Sequence, residues 1–416
     1  MRFSFLSIAR NALTGHRMWP EQWRSPEPKP YYDCVVIGGG GHGLATAYYL
    51  AAEHGLRQIA VVEKGWLGGG NTGRNTTIIR SNYLQEESAA LYEHAMKLWQ
   101  GLSQALNYNV MYSARGALML AHTLHDVQSA QRHIHANRLA DVDNEWLDAR
   151  QVKVFCPPIE VGGHMRYPVL GGALQRRGGV ARHDAVAWGY ARAADGLGVD
   201  ILQNCEVTAI RRDSTGAVNA VETTRGLLRT PKIGVAAAGH SSVVLAMAGV
   251  RLPLESFPLQ ALVSEPLKPV LPCVVMSGTI HAYVSQSDKG ELVIGASTDQ
   301  YPSYSQRGAL HVNMDTLAAI CELFPTFRRV RMLRNWGGIV DVTPDRSPIV
   351  ARTPVAGLYV NCGWGTGGFK ATPGSGHVFA HTIARDEPHP LAAPFTLERF
   401  HTGRLIDEAA AAAVTH

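Results

Sequence analysis

The chain has 416 residues, of which 46% are apolar and 18% charged, and a net charge of +5. This length supports a large core and two or three domains. No run approaches the about 18 apolar residues of a membrane span, and no Lys/Arg block marks a nucleic-acid binder; the mild positive balance suits anionic ligands.

The first 23 residues, MRFSFLSIARNALTGHRMWPEQW, are mildly basic, with Arg10, Asn11 and His16 interrupting the apolar positions. With no small-residue cleavage site, the segment reads as an arm lying on the body or on a partner rather than as a secretory signal. The arm is assigned to residues 1–30.

A strand (YDCVVI), a glycine turn, a helix (GLATAYYLAAEHG) and a second strand (QIAVVE) follow. Gly38, Gly40 and Gly43 fit the G-x-G-x-x-G pattern, with Gly41 and His42 inside the same loop. The first glycine permits the tight turn and the second lets a pyrophosphate approach the backbone. The third lets helix and strand pack closely, and the pyrophosphate meets a helix N-terminus. Glu63, twenty positions after Gly43, is placed to accept from ribose hydroxyls, with Lys64 beside it. FAD or NAD is favoured over NADP.

The next stretch, WLGGGNTGRNTTIIRSNY, holds Asn71, Thr72, Thr76, Ile78 and Arg80. A helical pattern (EESAALYEHAMKLWQGLSQAL) and two short strands in NVMYSARGALMLAHT come after it. HDVQSAQRHIHANRL reads as a helix and LDARQVKVFCP as helix and connection. GGVARHDAVAWGYARAA begins a further helix, with His183 before it and Asp184 as its expected cap. A strand containing Val207 and a hairpin then lead to VAAAGHSS. Strands alternate again from Leu259 to Asp299, with SDKG as a hairpin turn; His281 and Tyr283 fall on one strand face by period-two alternation. LYVNCGWGTGGFK runs a strand into a glycine loop that contains Gly365 and Gly368 and precedes Lys370. Such a loop lets the backbone approach a flat ligand. The tail DEAAAAAVTH reads as helical or frayed.

The layout is interleaved, an α/β chain with a Rossmann-type FAD-binding domain (31–110, 175–255 and 334–390). A mixed-sheet α+β substrate domain (111–174 and 256–333) and a tail (391–416) complete it. Six scattered cysteines without C-x-x-C read as free thiols of a reducing cytoplasm, and no metal site is expected.

The fingerprint, VAAAGHSS (235–242), WGGIVDVTPDRSPIV (336–350) and LYVNCGWGTGGFKATPGSG (358–376) resemble the glutathione-reductase-like FAD proteins of the D-amino-acid oxidase and monomeric sarcosine oxidase class. GGGGHGLATAYYLA, EKGWLGGGNTGRNTTIIRSNY, NCGWGTGGFKATPGSG and DEPHPLAAPF resemble more closely the β-subunit family of heterotetrameric sarcosine oxidases, over nearly all the chain from about residue 20.

That resemblance implies that Arg80 and Lys370 bind the substrate carboxylate and that His183, in an A-[KR]-H-D motif, carries covalent FMN. It also implies that Asn71, Thr72, Thr76, Ile78 and Val207 line FAD. FAD is expected to be noncovalent, because the surroundings of Cys321 do not match the family attachment segment. Sarcosine would be oxidised at FAD, with electrons passing to FMN and then to oxygen, giving hydrogen peroxide. A larger α subunit would carry NAD and tetrahydrofolate, and small γ and δ subunits would complete the complex. On the residues alone three alternatives stand: a related proline, glycine or dimethylglycine dehydrogenase, a nucleotide-binding scaffold with a structural flavin, and an NAD-dependent dehydrogenase. The interleaved layout disfavours the last.

Overall fold

The computed structural model describes residues 4–17 and 21–406. Two large sheets organise the chain. The first has six strands in the order Ile349–Arg352, Leu358–Cys362, Ile233–Val235, Cys34–Ile37, Ile59–Val62, Asp200–Leu202. All neighbours are parallel except Ile349–Arg352 with Leu358–Cys362. Strands covered on both faces read as unbroken apolar runs; Cys34–Ile37 and Ile59–Val62 are buried throughout.

Alternation sends successive side chains to opposite faces. Val36, Val61 and Tyr359 meet helices Gly41–Ala52, Glu86–Ala105, His183–Gly196 and Gly368–Arg385. Val35, Val62 and Val360 meet the opposite layer, which includes the small antiparallel sheet Val207–Arg212, Val218–Thr223 and Gly226–Arg229. The fold is α/β, as the sequence implies.

The second sheet has eight strands in the order Met332–Val342, Glu255–Pro266, Glu291–Thr298, Ala282–Gln286, Val274–Ser277, Ala117–Ala121, Gly171–Gln175, Glu145–Asp148. Its one parallel pairing joins Val274–Ser277 to Ala117–Ala121. Helices Leu310–Leu323 and Ala149–Phe155 pack on one face. The strand Met332–Val342, grouped in the sequence reading with the nucleotide-binding segments from residue 334, pairs over ten positions with Glu255–Pro266 of this second sheet.

Other differences are local. Val274–Ser277 is a strand that the sequence reading passed over, because a four-residue apolar run carries no period. NVMYSARGALMLAHT gives one strand, Ala117–Ala121, and an isolated bridge between Ser113 and Val180 rather than two strands. Part of the arm lies on the body: Arg24 pairs with Asp195 at 2.8 Å and Lys29 with Asp200 at 2.6 Å. The helix Phe5–Leu13 buries none of its residues. The reading of DEAAAAAVTH falls outside the described residues.

Candidate active site

The glycine turn sits between the strand Cys34–Ile37 and the helix Gly41–Ala52. Gly38 has φ +116°, and a Cβ there would lie 2.4 Å from the Ala236 carbonyl oxygen. A Cβ on Gly43 would lie 1.9 Å from the Gly38 carbonyl oxygen, so only glycine allows this helix to approach its strand. Glu63 directly follows the adjacent strand Ile59–Val62; its carboxylate accepts from Gly39 N–H at 2.8 Å and from Gly65 N–H at 2.9 Å. Thr72 Oγ1 accepts from Gly41 N–H at 2.9 Å, tying the Asn/Gly-rich loop to the helix start.

From here a cavity of about 620 Å³ runs through the molecule. It starts near Glu63, Lys64 and Val207 and takes in Arg80, Tyr283 and Lys370. Of the residues singled out from the sequence, Gly38, Gly40, Gly41, His42, Glu63, Lys64, Asn71, Thr72, Thr76, Ile78, Arg80, Val207, Gly365, Gly368 and Lys370 line it; Gly43 and His183 do not. Lys64 is held at the surface by Glu206 at 2.7 Å. Asn71 Oδ1 accepts from Ile339 N–H at 2.8 Å, and its amide donates back to the Ile339 carbonyl, so the loop is pinned to the strand Met332–Val342.

At the other end, the helix Gly368–Arg385 places Lys370 where its ammonium donates to the Thr366 carbonyl at 3.0 Å. Burial, and secondarily the charge of Arg80, pushes this amine well below its usual pKa. The Trp99 indole N–H donates to the Lys370 carbonyl at 2.7 Å and fixes the turn. Arg80, 5% exposed, follows the short strand Ile78–Ile79; its guanidinium lies 4.4 Å from the Tyr83 ring centre and donates to Asn82 Oδ1 at 3.1 Å. The neighbouring Ser81 is locked by Gln175, which accepts from its N–H at 2.8 Å, and by Glu93, which accepts from its hydroxyl at 2.8 Å. The two cations come from positions far apart in the sequence and meet at one buried wall.

The glycine loop 363–368 is fastened from below. Gly363, at φ +75°, donates its N–H to the Asp341 carboxylate. Burial raises the Asp341 pKa to about 7, against these backbone donors. His42 bridges the two glycine loops: Nε2–H donates to the Gly368 carbonyl at 2.8 Å, and Nδ1 accepts from Ser375 Oγ. Burial lowers its pKa to about 4, so the ring is neutral, with one nitrogen donating and the other accepting.

Tyr283 lines the cavity, and the structure adds Met276, Asp341, Trp364 and Thr372, which the sequence did not single out. Tyr283 was paired with His281 on one strand face, but His281 is exposed, precedes the strand Ala282–Gln286 and has φ +47°, which breaks the alternation. His183 is the first residue of the helix His183–Gly196, and Arg182 holds the cap position. Asp184 is therefore not the cap; its carboxylate takes the Arg182 guanidinium and the Ala185 N–H instead. The residues just before His183 back the cavity wall: Ala181 N–H donates to the Thr77 carbonyl at 3.2 Å, and Val180 pairs with Ile78. Burial lowers the His183 pKa, partly offset by Asp184.

A family model described as FAD dependent oxidoreductase matches residues 33–382. A sarcosine oxidase subunit beta of Rhodobacter capsulatus is 57% identical over 415 residues, covering 100% of both chains. Another from Arthrobacter sp. is 59% identical over 394 residues, covering 95% of this chain and 97% of its own. The chain belongs to the sarcosine oxidase β-subunit branch of the FAD-dependent oxidoreductases. Among solved structures, L-proline dehydrogenase from P. horikoshii shares the fold, with a TM-score of 0.84, 24% identity and coverage of 92% of this chain and 100% of its own.

The residues of this β-subunit relative fit FAD. The cavity has the size of a small-molecule site, about 300–1,000 Å³. Gly38 and Gly43 form a cradle that side chains would fill. Thr372 Oγ1, buried on the cavity wall beside Gly41, has no hydrogen-bond partner and is free to donate to a bound group. Backbone N–H groups at the start of the helix Gly41–Ala52 favour a pyrophosphate.

Proposed function

We propose that this chain is the sarcosine-oxidising β subunit of a heterotetrameric oxidase that yields hydrogen peroxide and delivers the one-carbon unit to tetrahydrofolate on a larger subunit. The observation that carries the reading is the meeting of Arg80 and Lys370 at one buried end of a dinucleotide-sized cavity. A guanidinium suits a carboxylate geometrically, and a second cation at a desolvated site strengthens the hold. Arg80 and Lys370 clamp the carboxylate of an N-methyl amino acid. Ile78, Met276 and Tyr283, which pack as one apolar cluster, exclude water beside it. The clamp orients the N-methyl carbon, and orientation supplies much of the rate.

Bound noncovalently by Gly38–Gly43, Glu63, Asn71, Thr72, Thr76 and Val207, FAD supplies the acceptor for a hydride equivalent. Burial, and secondarily the charge of Arg80, holds the Lys370 amine well below its usual pKa, so the incoming substrate carboxylate is the charge that keeps this amine protonated in the clamp. His183 holds covalent FMN: its half-buried imidazole has a lowered pKa, which favours the neutral, nucleophilic form, and Arg182 and Lys289 bring positive charge beside it. FMN, when bound, supplies the site at which oxygen is reduced. The α subunit, with NAD and tetrahydrofolate, and the small γ and δ subunits complete a cytoplasmic assembly.

The test uses the purified complex. Anaerobic sarcosine is expected to bleach the flavin spectrum, and acid precipitation is expected to leave yellow colour on this chain that His183→Ala loses. Unbleached flavin overturns the sarcosine assignment, and colour fully released by acid overturns covalent FMN.

A further inference from the structure

We infer that a closed ring of hydrogen bonds through Ser81, Gln175, Asp143, Arg177 and Glu93 positions Arg80 and thereby sets the affinity of the large cavity for a substrate carboxylate. None of the five lines that cavity, so the ring acts only through its neighbour in the chain.

The chain around Arg80 requires such a device. Residues 80–85 lie between the two-residue strand Ile78–Ile79 and the helix Glu86–Ala105 and belong to neither. Buried backbone outside helices and sheets must find its partners among side chains. Ser81, fully buried, gives its N–H to Gln175 Oε1 at 2.8 Å, and the Tyr83 carbonyl accepts from Asn137 Nδ2 at 2.6 Å. Arg80 is thus carried on a stretch whose conformation is set by side chains of other elements.

The ring closes atom by atom. Gln175 Nε2 donates to Ser81 Oγ at 2.8 Å and to Asp143 Oδ1 at 3.1 Å. Asp143 Oδ1 also accepts from Arg177 Nε at 2.8 Å. Arg177 then forks onto both oxygens of Glu93, at 2.7 Å and 3.1 Å. Glu93 Oε2 accepts from the Ser81 hydroxyl at 2.8 Å and completes the circuit. Each direction is forced. The Ser81 hydroxyl has one proton, given to Glu93, so a lone pair faces the Gln175 amide; a flipped Gln175 would set N–H against N–H at Ser81. Ser81 and Gln175 are fully buried and Glu93 is nearly so, where bulk water does not make good a lost bond.

Ser81 is therefore fixed at its N–H and on both sides of its hydroxyl, and the backbone of Arg80 is fixed with it. The guanidinium keeps its place 4.4 Å from the Tyr83 ring centre, and Tyr83 stacks on Tyr92 at 3.9 Å. The positioning role rests on the reading of Arg80 as a carboxylate clamp. A loosened ring lets the guanidinium leave its aim, so substrate is held less well while its oxidation once bound is unaltered.

Ser81→Ala removes one hydroxyl and leaves the Glu93–Arg177 and Gln175–Asp143 bonds standing. In the FAD-loaded complex it is expected to raise KM for sarcosine about tenfold, between the worth of one and two neutral hydrogen bonds, with kcat and flavin content kept. The inhibition constant of acetate, a bare carboxylate, is expected to rise by the same factor. Arg177→Met is expected to act in the same direction, and Arg177→Lys to restore most of the affinity. The deciding measurement is the double variant: with Arg80→Met in place, Ser81→Ala is expected to add nothing to KM. A further rise overturns the positioning role, because Ser81 then acts by another route. A lower Tm with KM unchanged in Ser81→Ala makes the ring a stability device alone and overturns it as well. Failure of the clamp reading is told apart by Arg80→Met by itself: unchanged KM and unchanged acetate inhibition remove the clamp, and the positioning role with it.

Discussion

The two ends of the large cavity are built in different ways. At the dinucleotide end, Gly38–Gly43 and Glu63 lie within one βαβ unit, and the backbone itself forms the binding surface. At the catalytic end, Arg80, Tyr283, Asp341, Gly365 and Lys370 come from four separate stretches of chain, and side chains form the surface. The first end fails if one atom is added to a glycine; the second fails by losing individual charges while the rest of the site stands. His42 joins them, with one ring nitrogen on the Gly368 loop and the other on the helix that follows it.

The largest effect is expected at the dinucleotide end. Gly43→Ala places a methyl 1.9 Å from the Gly38 carbonyl oxygen, so the strand and helix must separate. The purified protein is expected to carry almost no FAD, read from the ratio of flavin to protein absorbance; full flavin content would erase the contrast between the two ends. Next come Arg80→Met and Lys370→Met, each expected to keep FAD. Each is expected to lower kcat/KM for sarcosine about 100-fold or more, as loss of a charged hydrogen bond of about 3 kcal/mol predicts. Loss of flavin in either variant would show that the catalytic end also anchors the cofactor.

The two ends are expected to pull stability in opposite directions with pH. His42 has its folded pKa lowered to about 4 from 6.5, so the unfolded chain takes up the proton first as pH falls. Stability is then lost between about pH 6.5 and 4, and His94, His133 and His389, lowered to about 4 by burial, act the same way. Asp341 has its folded pKa raised to about 7 from 3.8, so the unfolded chain releases its proton first as pH rises, and stability is lost between about pH 4 and 7. His42→Asn is expected to flatten the acid limb of a Tm-against-pH curve and Asp341→Asn the other. Parallel curves for the two variants would refute the assignment. The smallest effect is expected for Tyr283→Phe, which gives up a hydrogen bond with Thr76 of about 1 kcal/mol, close to a fivefold change in KM.

The same contrast explains what could be read from the sequence. Gly38, Gly40, Gly43 and Glu63 are legible because their spacing is fixed by one turn and one helix. Arg80 and Lys370 carry no such spacing, and only the family resemblance singled them out. Tyr283 was found through strand alternation, but its companion His281 was misjudged because one left-handed residue ends the pattern before the strand begins. Asp341 and Thr372 gave no signal: an acid in a strand and a threonine in a helix become informative only when tertiary packing removes their water. Asp184 looked like a helix cap from its place beside His183, yet Arg182 already holds that position and draws the carboxylate to itself.

The arm bears on how the chain can be shortened. Asp200 is fully buried at the edge strand of the six-stranded sheet, and its countercharges, Lys29 at 2.6 Å and Arg24 at 3.6 Å, both belong to the arm. A chain trimmed to begin at Tyr31 would strand that carboxylate beside the Tyr32 hydroxyl alone. The arm thus neutralises an interior acid of the nucleotide-binding sheet. Proteolytic nicking ahead of Tyr31 would be felt as lost cofactor retention before any loss of substrate contacts.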